Sequence, residues 1–270
     1  MSLEPTAGGH RFDRDTRVDK LADGEFAATL TDGWGTFTSH PNGGYVMGVA
    51  LNALGQSLSQ PDPLVVSVFF LRPAVPGPAT VRTEAVREGR RTATGQAVLE
   101  QGGKEVLRAT ATYGDLSLDS QARQLSLGTA PDLPDPQDCH VPAEFDRTEG
   151  LGIADKVEYR YVRRPGWLDG HKDGRPHVEH WMRFADGREA DTASLPSMVD
   201  FAPPAVLEIG EFITLTVELS VHVRARPAPG WLACRVFTKH VAGGLHEEDM
   251  EIWDSRGTLV AQSRQLAMLK

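Results

Sequence analysis

Two pairs of landmarks recur at the same spacing in this chain of 270 residues. The stretch FFLRPAVPGP, which contains Pro73, resembles VRARPAPGW, which contains Pro227, and the two prolines are 154 residues apart. Gly103 and Gly257 each lie in a predicted hairpin turn, and they too are 154 residues apart. Because two independent landmarks share one offset, the sequence predicts a duplicated structural unit.

Each unit contains one helix candidate with an apolar sequence. Residues 43–57 read GGYVMGVALNALGQS, with apolar side chains on nearly every side of a helix and with Asn42 placed as the N-cap. A helix of this kind is enclosed by other structure rather than exposed on one face. The second candidate covers residues 196–209 and is broken near its start by Pro203 and Pro204.

Strand-like segments follow both helices and predict an α+β architecture. In each unit an antiparallel sheet of about four strands would curl round the buried helix. Two such sheets can pair edge to edge, which covers edges that would otherwise be exposed. The predicted strands are residues 64–71, 79–87, 91–101, 105–113, 156–162, 177–184, 214–224, 231–240, 245–253 and 258–269.

Composition divides the chain into four segments. Residues 1–25 are polar and predict a loose N-terminal arm. Residues 26–116 form the first predicted unit. Residues 117–143 are rich in proline, aspartate and serine without apolar periodicity, which predicts a linker. Residues 144–270 form the second predicted unit.

Charge and cysteine content exclude several classes of partner. The net charge of −9 gives no electrostatic reason to bind nucleic acid or an anionic membrane. No apolar run approaches the ~18 residues of a membrane span, and the first residues show no signal peptide. Cys139 and Cys234 form neither a pair motif nor a metal-binding spacing. The sequence therefore predicts a cytoplasmic protein with no nucleic-acid partner, no membrane partner, and no metal or redox cofactor.

Several short motifs occur in a specific order. The first half contains FLRP at 70–73, REGRR at 87–91 and EQGGKEVL at 100–107. The second half contains LPSMVDFAPP, TVELSVHVRARP and LVAQSRQLAML, which begin at residues 195, 216 and 259. Together with the duplicated helix-and-sheet pattern, this order resembles the acyl-CoA thioesterase II (TesB-like) family of double hotdog proteins.

The resemblance implies a fold, a reaction and a set of site residues. It implies hydrolysis of acyl-CoA to a free carboxylic acid and coenzyme A by water that an Asp, a Thr or Ser, and a Gln of the second hotdog hold. These three positions match Asp200, Thr216 and Gln265. Thr214 stays an alternative to Thr216, because this chain has one extra residue before its Arg226-Pro227 pair. The outer surface of a double hotdog also predicts a homo-oligomer, either a dimer or a tetramer.

The three residue types suit the chemistry of thioester hydrolysis. Asp200 lies in the apolar stretch SMVDFAPP, which would raise its pKa and make it a better base at neutral pH. Gln265 and Thr216 carry donors and acceptors that can orient a water. Each also has a purely structural explanation: a helix cap for Asp200, a polar strand position for Gln265 and strand propensity for Thr216.

Two other functions on the same fold stay open. Hotdog enoyl-CoA hydratases and dehydratases use an Asp and a His separated by four residues, and this spacing occurs in the predicted linker at Asp135 and His140, whereas position 205 is alanine. A non-catalytic acyl-CoA binding protein is the other alternative. Val49 and Ser67 stand where the thioesterase family has Gln and His, which keeps this alternative open.

An acyl chain would need an apolar slot beside the buried helices. The candidate wall residues are Trp34, Phe37, Tyr45, Met198 and Phe201. Backbone amides near Gly43-Gly44 or around Asp200 are the candidate donors for the oxyanion that forms during the reaction.

Overall fold

A computed structural model describes residues 9–36, 40–118, 125–142, 151–170 and 174–270. Parts of all four predicted segments therefore lie outside the described residues, including residues 37–39 of the first unit. The helices are α1 Arg11–Asp15, α2 Gly43–Gly55 and α3 Leu195–Met198. The strands are β1 Asp19–Ala22, β2 Glu25–Leu30, β3 Asp62–Phe70, β4 Gly77–Glu88, β5 Ala93–Gln101, β6 Lys104–Gly114, β7 Val157–Tyr161, β8 His177–Phe184, β9 Thr214–Val223, β10 Leu232–Phe237, β11 Val241–Ala242, β12 Leu245–Trp253 and β13 Leu259–Leu269.

The strands form one antiparallel sheet with the order β1-β2-β4-β5-β6-β3-β9-β13-β12-β10-β8-β7, and β11 pairs with β12. The two halves of the chain meet where β3 pairs with β9, with Ser67 opposite Ser220. The predicted edge-to-edge pairing is confirmed. It removes two sheet edges from solvent and brings the helices of both halves into contact.

Helix α2 is enclosed as its sequence predicts. Its apolar side chains from Tyr45 to Leu54 are buried almost without exception. The side-chain oxygen of Asn42 accepts a hydrogen bond from the Tyr45 N–H at 3.0 Å, which confirms the predicted N-cap. Burial of each large apolar side chain contributes ~1.5–3 kcal/mol to the free energy of folding, so α2 is fixed in place by the sheet around it.

Two glycines allow α2 to pack closely against α3. A Cβ atom at Gly44 would lie 2.5 Å from the carbonyl oxygen of Ser197. A Cβ atom at Gly48 would lie 2.7 Å from Oγ of the same serine. Neither distance is compatible with a side chain, so only glycine permits this approach. The residues that follow α3 are thereby held against the N-terminus of α2.

The second helix is shorter than predicted. The sequence predicted a helix over residues 196–209 with a break at Pro203 and Pro204; the break is observed, but α3 ends before it at Met198 and a 3₁₀ turn covers Ala205–Ile209. Pro203 and Pro204 separate the two pieces, because proline lacks the N–H needed for a helical hydrogen bond and restricts the residue before it. The irregular segment between the pieces contains Asp200 and reaches the cavity described below.

Part of the predicted N-terminal arm is folded. The prediction of a loose segment was wrong for the residues that form α1 and β1. Phe12 of α1 is only 5% exposed, and its ring lies 5.8 Å from Trp34 and 5.3 Å from Phe184. The guanidinium of Arg188 also lies over the Phe12 ring. One aromatic residue in a polar segment is enough to anchor α1 when it fills a gap between both halves of the core.

A buried carboxylate joins the two halves a second time. Asp62, at the start of β3, accepts hydrogen bonds from Arg226 Nη2 at 2.8 Å, Thr192 Oγ1 at 2.6 Å and the Leu116 N–H at 2.8 Å. Burial by itself would raise the pKa of Asp62, but the hydrogen bonds from Arg226, Thr192 and Leu116 outweigh it and lower that pKa below its ordinary value.

Asp62→Ala should therefore lower the free energy of unfolding by about 1–3 kcal/mol at pH 7, because it leaves buried donors unpaired. A carboxylate whose pKa is lowered by folding stabilises the protein above its unfolded pKa of about 4, and this contribution declines as the pH falls through the folded value. Urea unfolding between pH 7 and pH 3 measures this. The control, Asp19→Ala, removes an exposed ion pair with Arg17 and should change little. A constant difference between wild type and Asp62→Ala across this range would contradict the assignment.

Candidate active site

A cavity of about 460 Å³ opens where the N-terminus of α2, the segment after α3 and the strands β3, β9 and β13 meet. Asp200, Thr216 and Gln265 all line it, so the structure brings the three predicted residues to one place. Much of the remaining lining is apolar and includes Phe70, Val106, Leu151, Val199, Phe201 and Leu207. An apolar cavity with a few convergent polar groups is typical of a small-molecule site.

Asp200 is held at the first turn of α2. Its Oδ2 accepts a hydrogen bond from the Gly44 N–H at 2.6 Å, and its carbonyl oxygen accepts one from Asn42 Nδ2 at 2.9 Å. Asn42 thus caps the helix with its oxygen and holds Asp200 with its nitrogen. A Cβ atom at Gly43 would lie 3.0 Å from Asp200 Oδ2, so the paired glycines make room for the carboxylate. The positive end of the helix dipole stabilises the ionised carboxylate there.

The surroundings of Asp200 adjust its proton affinity. Burial raises the pKa of Asp200 to about 7, and the hydrogen bond from the Gly44 N–H and the nearby amide of Asn42 oppose that rise without cancelling it. A carboxylate with this pKa is ionised in a large fraction of molecules at neutral pH. It also binds a proton more strongly than an ordinary aspartate does, which is what a general base requires.

Thr216 faces Gln265 because β9 contains a bulge. The pairing of β9 with β13 steps from Glu218 opposite Leu266 to Thr216 opposite Ala267, so Val217 is the extra residue. A bulge reverses the alternation of side chains along a strand and re-aims them. The Thr216 hydroxyl accordingly donates to Gln265 Oε1 at 2.7 Å.

Thr214 has a different partner. Its hydroxyl lies 2.7 Å from Nε2 of His246, whose Nδ1 lies 3.3 Å from the carbonyl oxygen of Glu247. A carbonyl oxygen only accepts, so Nδ1 carries the proton and Nε2 of the neutral ring accepts from Thr214. Burial lowers the pKa of His246, which favours that neutral ring. Of the two threonine candidates, Thr216 is therefore the one that is hydrogen-bonded to Gln265.

Glu248 is a buried acid of the cavity wall that the sequence did not single out. Its side chain is 6% exposed. Its Oε1 accepts from Gln265 Nε2 at 2.8 Å, and its Oε2 accepts from the Ala205 N–H at 2.6 Å. The predicted hairpin that joins β12 to β13 could have indicated Glu248, because the register of this hairpin places Glu248 opposite Gln265.

The predicted wall residues divide between the cavity and the core. Phe201 lines the cavity. Trp34, Tyr45 and Met198 are completely buried core side chains, and the rings of Trp34 and Tyr45 stack on each other at 5.3 Å. Phe37 lies outside the described residues. Within the described part of the chain, no helix combines the length and apolarity needed to cross a membrane.

Comparisons with known proteins agree with this architecture. A model of the acyl-CoA thioesterase N-terminal domain matches residues 30–114, and a model of the C-terminal domain matches residues 136–269. The crystal structure of a putative thioesterase II from Thermobifida fusca is 31% identical, with 97% of this chain and 98% of that chain covered and a TM-score of 0.86. The chain belongs to the acyl-CoA thioesterase family. The resemblance seen in the short motifs is thereby confirmed.

Two further proteins are similar to this member of the acyl-CoA thioesterase family over most of its length. A hot dog protein of unknown function from Alicyclobacillus acidocaldarius is 24% identical, with 97% of this chain and 98% of that chain covered and a TM-score of 0.83. An uncharacterized protein of Mycobacterium tuberculosis is 28% identical over 268 residues, which is 90% of both chains. The predicted α+β double hotdog fold is confirmed.

Proposed function

We propose that this thioesterase hydrolyses acyl-CoA to a free carboxylic acid and coenzyme A, with Asp200 as the general base. The observation that carries this proposal is the placement of a carboxylate with a raised pKa at a helix N-terminus, in the same cavity as a hydrogen-bonded Thr216–Gln265 pair. The apolar lining would receive the acyl chain. Together these groups supply a base, a means of orienting water and a place for the substrate.

The hydroxyl of Thr216 determines how a water would be oriented. Its proton is donated to Gln265, so toward the cavity Thr216 acts as an acceptor. A water that donates one proton to Asp200 and the other to Thr216 keeps a lone pair for the thioester carbonyl carbon. As its oxygen bonds to that carbon, Asp200 accepts the proton. The C–S bond then breaks, and the thiolate of coenzyme A leaves and takes up the proton that Asp200 had accepted, which restores the carboxylate.

The oxyanion that develops on the carbonyl oxygen needs hydrogen-bond donors. An amide nitrogen carries two protons, and Gln265 donates one of them to Glu248. The second N–H of the amide can donate a hydrogen bond toward the cavity. Loss of one such donor typically lowers kcat by ~10²–10³. We therefore assign Gln265 to the oxyanion and Thr216 to the water.

Thiol release from a series of acyl-CoA esters, from acetyl to palmitoyl with one aryl ester, tests the proposed reaction. The proposal expects turnover of at least part of the series. Binding of acyl-CoA without turnover would favour the non-catalytic alternative. Hydration of an enoyl-CoA without thiol release would favour the hydratase alternative.

The pH dependence should report Asp200 directly. Because the base must be deprotonated to accept a proton, and its pKa is raised to about 7, kcat/KM should rise with pH and level off above about 8. Initial rates between pH 5.5 and pH 9, corrected for spontaneous hydrolysis, measure this profile. A profile that is flat between pH 5.5 and pH 7.5 would exclude a base with this pKa.

Three other properties stay predictions. These are the homo-oligomeric state, the cytoplasmic location and the boundaries that separate residues 1–25, the two units and the linker at residues 117–143. Light scattering on the purified chain distinguishes a dimer or tetramer from a monomer.

A further inference from the structure

Glu248 is a buried carboxyl group of the cavity wall to which the proposed reaction assigns no step. It lies on β12 opposite Gln265, and each of its two oxygens receives one N–H. One N–H comes from the side chain of Gln265 and the other from the backbone of Ala205, just after Pro204. The backbone is fixed at both positions, since Gln265 belongs to a strand and Ala205 to the start of a 3₁₀ turn.

These contacts decide which way the amide of Gln265 points. Thr216 does not determine the orientation of the Gln265 amide, because a hydroxyl group can donate to an oxygen or accept from a nitrogen. Glu248 determines the direction as a carboxylate, because Oε2 accepts from the Ala205 N–H and Oε1 can only accept from Gln265. The amide nitrogen of Gln265 must then face Glu248, and its oxygen must face Thr216.

We propose that Glu248 is a positioning residue for thioester hydrolysis, which fixes the Gln265 amide and thereby makes Thr216 an acceptor toward the cavity. This inference rests on the proposed function, since it assigns Glu248 a role through Gln265 and Thr216. Glu248 does not touch the reacting atoms. It determines which groups donate and which accept in the series of hydrogen bonds that links Glu248 on β12, Gln265 on β13 and Thr216 on β9.

Glu248 fixes the amide in this direction as a carboxylate, whose two oxygens only accept hydrogen bonds. Burial first, and then the neighbouring charge of Asp200, raise the pKa of Glu248 to about 8, whereas the hydrogen bonds from Ala205 and Gln265 favour the ionised form. A protonated carboxyl group carries an O–H donor and does not impose the direction, so the variants are compared above pH 8. An amide nitrogen at the same place accepts none, so glutamine keeps the shape of the side chain and removes one of its acceptors.

Glu248→Gln should exchange donors and acceptors in this series of hydrogen bonds. If the new amide oxygen faces Ala205, the new amide nitrogen faces Gln265 and the Gln265 amide must turn over. If instead the nitrogen faces Ala205, a buried backbone N–H is left without an acceptor, which is the costlier arrangement. The amide nitrogen of Gln265 then faces Thr216, whose proton becomes free to donate toward the cavity.

Steady-state kinetics of Glu248→Gln and Glu248→Met test the inference, because both variants keep the side-chain volume. We expect kcat to fall at least about tenfold in both, with the larger loss in Glu248→Gln, and KM to stay within about threefold. Glu251→Gln is the matched control, since it makes the same change on the same strand at a partly exposed ion pair with Arg235. The control should behave like the wild type.

The inference is overturned if both variants fold and retain kcat within about twofold of the wild type, because Glu248 then only fills space. If Glu248→Gln does not fold, Glu248→Met decides alone, because methionine has a similar length and supplies no acceptor oxygen to Gln265 or Ala205, and thermal unfolding checks that this variant is folded. Asp200→Asn and Gln265→Ala are measured in parallel. Full activity in those two variants would overturn the proposed site as a whole, whereas their inactivity beside active Glu248 variants would overturn the role of Glu248 alone.

Discussion

Asp200→Asn lowers kcat/KM for acyl-CoA hydrolysis by about 10²–10⁴, which is the usual contribution of a general base. Asparagine has the shape of aspartate, and its amide oxygen can still accept the hydrogen bond from the Gly44 N–H. What is lost is the ability to take a proton from water. The packing of α2 against α3 should survive, since the glycines that permit it are unchanged.

Thiol release by wild type and variant, together with thermal unfolding of both, measures this effect. Asp249→Asn is the control, because it changes an aspartate on β12 that pairs with Arg264 away from the cavity. The control should retain its activity. Turnover of Asp200→Asn within a few-fold of the wild type would remove Asp200 from the mechanism and leave the family membership untouched.

Gly44→Ala should have the next largest effect. The added Cβ would lie 2.5 Å from the Ser197 carbonyl oxygen and 2.8 Å from Asp200 Cβ. Both neighbours belong to a tightly packed segment, so α3 and Asp200 must move away from α2. A displacement of about 1 Å can lower the rate of a positioned reaction by ~10². Overpacking should also reduce the free energy of unfolding by about 1–3 kcal/mol.

The same helix offers a control for Gly44→Ala. A Cβ atom at Gly55 would lie 3.6 Å from the Tyr113 ring, which is an ordinary contact. Gly55→Ala should therefore leave the activity unchanged and be neutral or stabilising, because alanine favours helix over glycine by up to about 1 kcal/mol. Equal losses of activity in the two variants would contradict a specific role for the close approach at Gly44.

Much of the fold could be predicted because its signals are local. Alternating and apolar runs placed the long strands within a few residues of their observed bounds, for example 177–184 and 245–253. The turns after Gln101 and Trp253 marked the two hairpins. Apolar residues on nearly every side of α2 predicted that the helix is buried. The shared offset of 154 residues predicted two units, and the units pair through their sheets.

The parts that could not be predicted depend on long-range contacts. Thr216 was the assigned residue, but Thr214 stayed an alternative, because regular alternation cannot reveal the bulge at Val217 that turns Thr216 toward Gln265. Glu248 is one of several acids on β12, and only the pairing with Gln265 and Ala205 distinguishes it.

The N-terminal segment and the second helix show the same limitation. Phe12 lies in a polar segment that looks loose until both halves of the core surround it. The end of α3 at Met198, before the Pro203-Pro204 pair, had no signal in the sequence, and the packing of α3 against α2 depends on a glycine more than 150 residues away.

The most direct test of water attack assisted by Asp200 is a single turnover of acyl-CoA in H₂¹⁸O, with enzyme in excess over substrate. If Asp200 acts as a base, the first turnover places one ¹⁸O atom in the carboxylic acid and none in the protein. Unlabelled acid in the first turnover, with ¹⁸O recovered in the Asp200 side chain, would show that the carboxylate itself attacked the thioester and would contradict the mechanism.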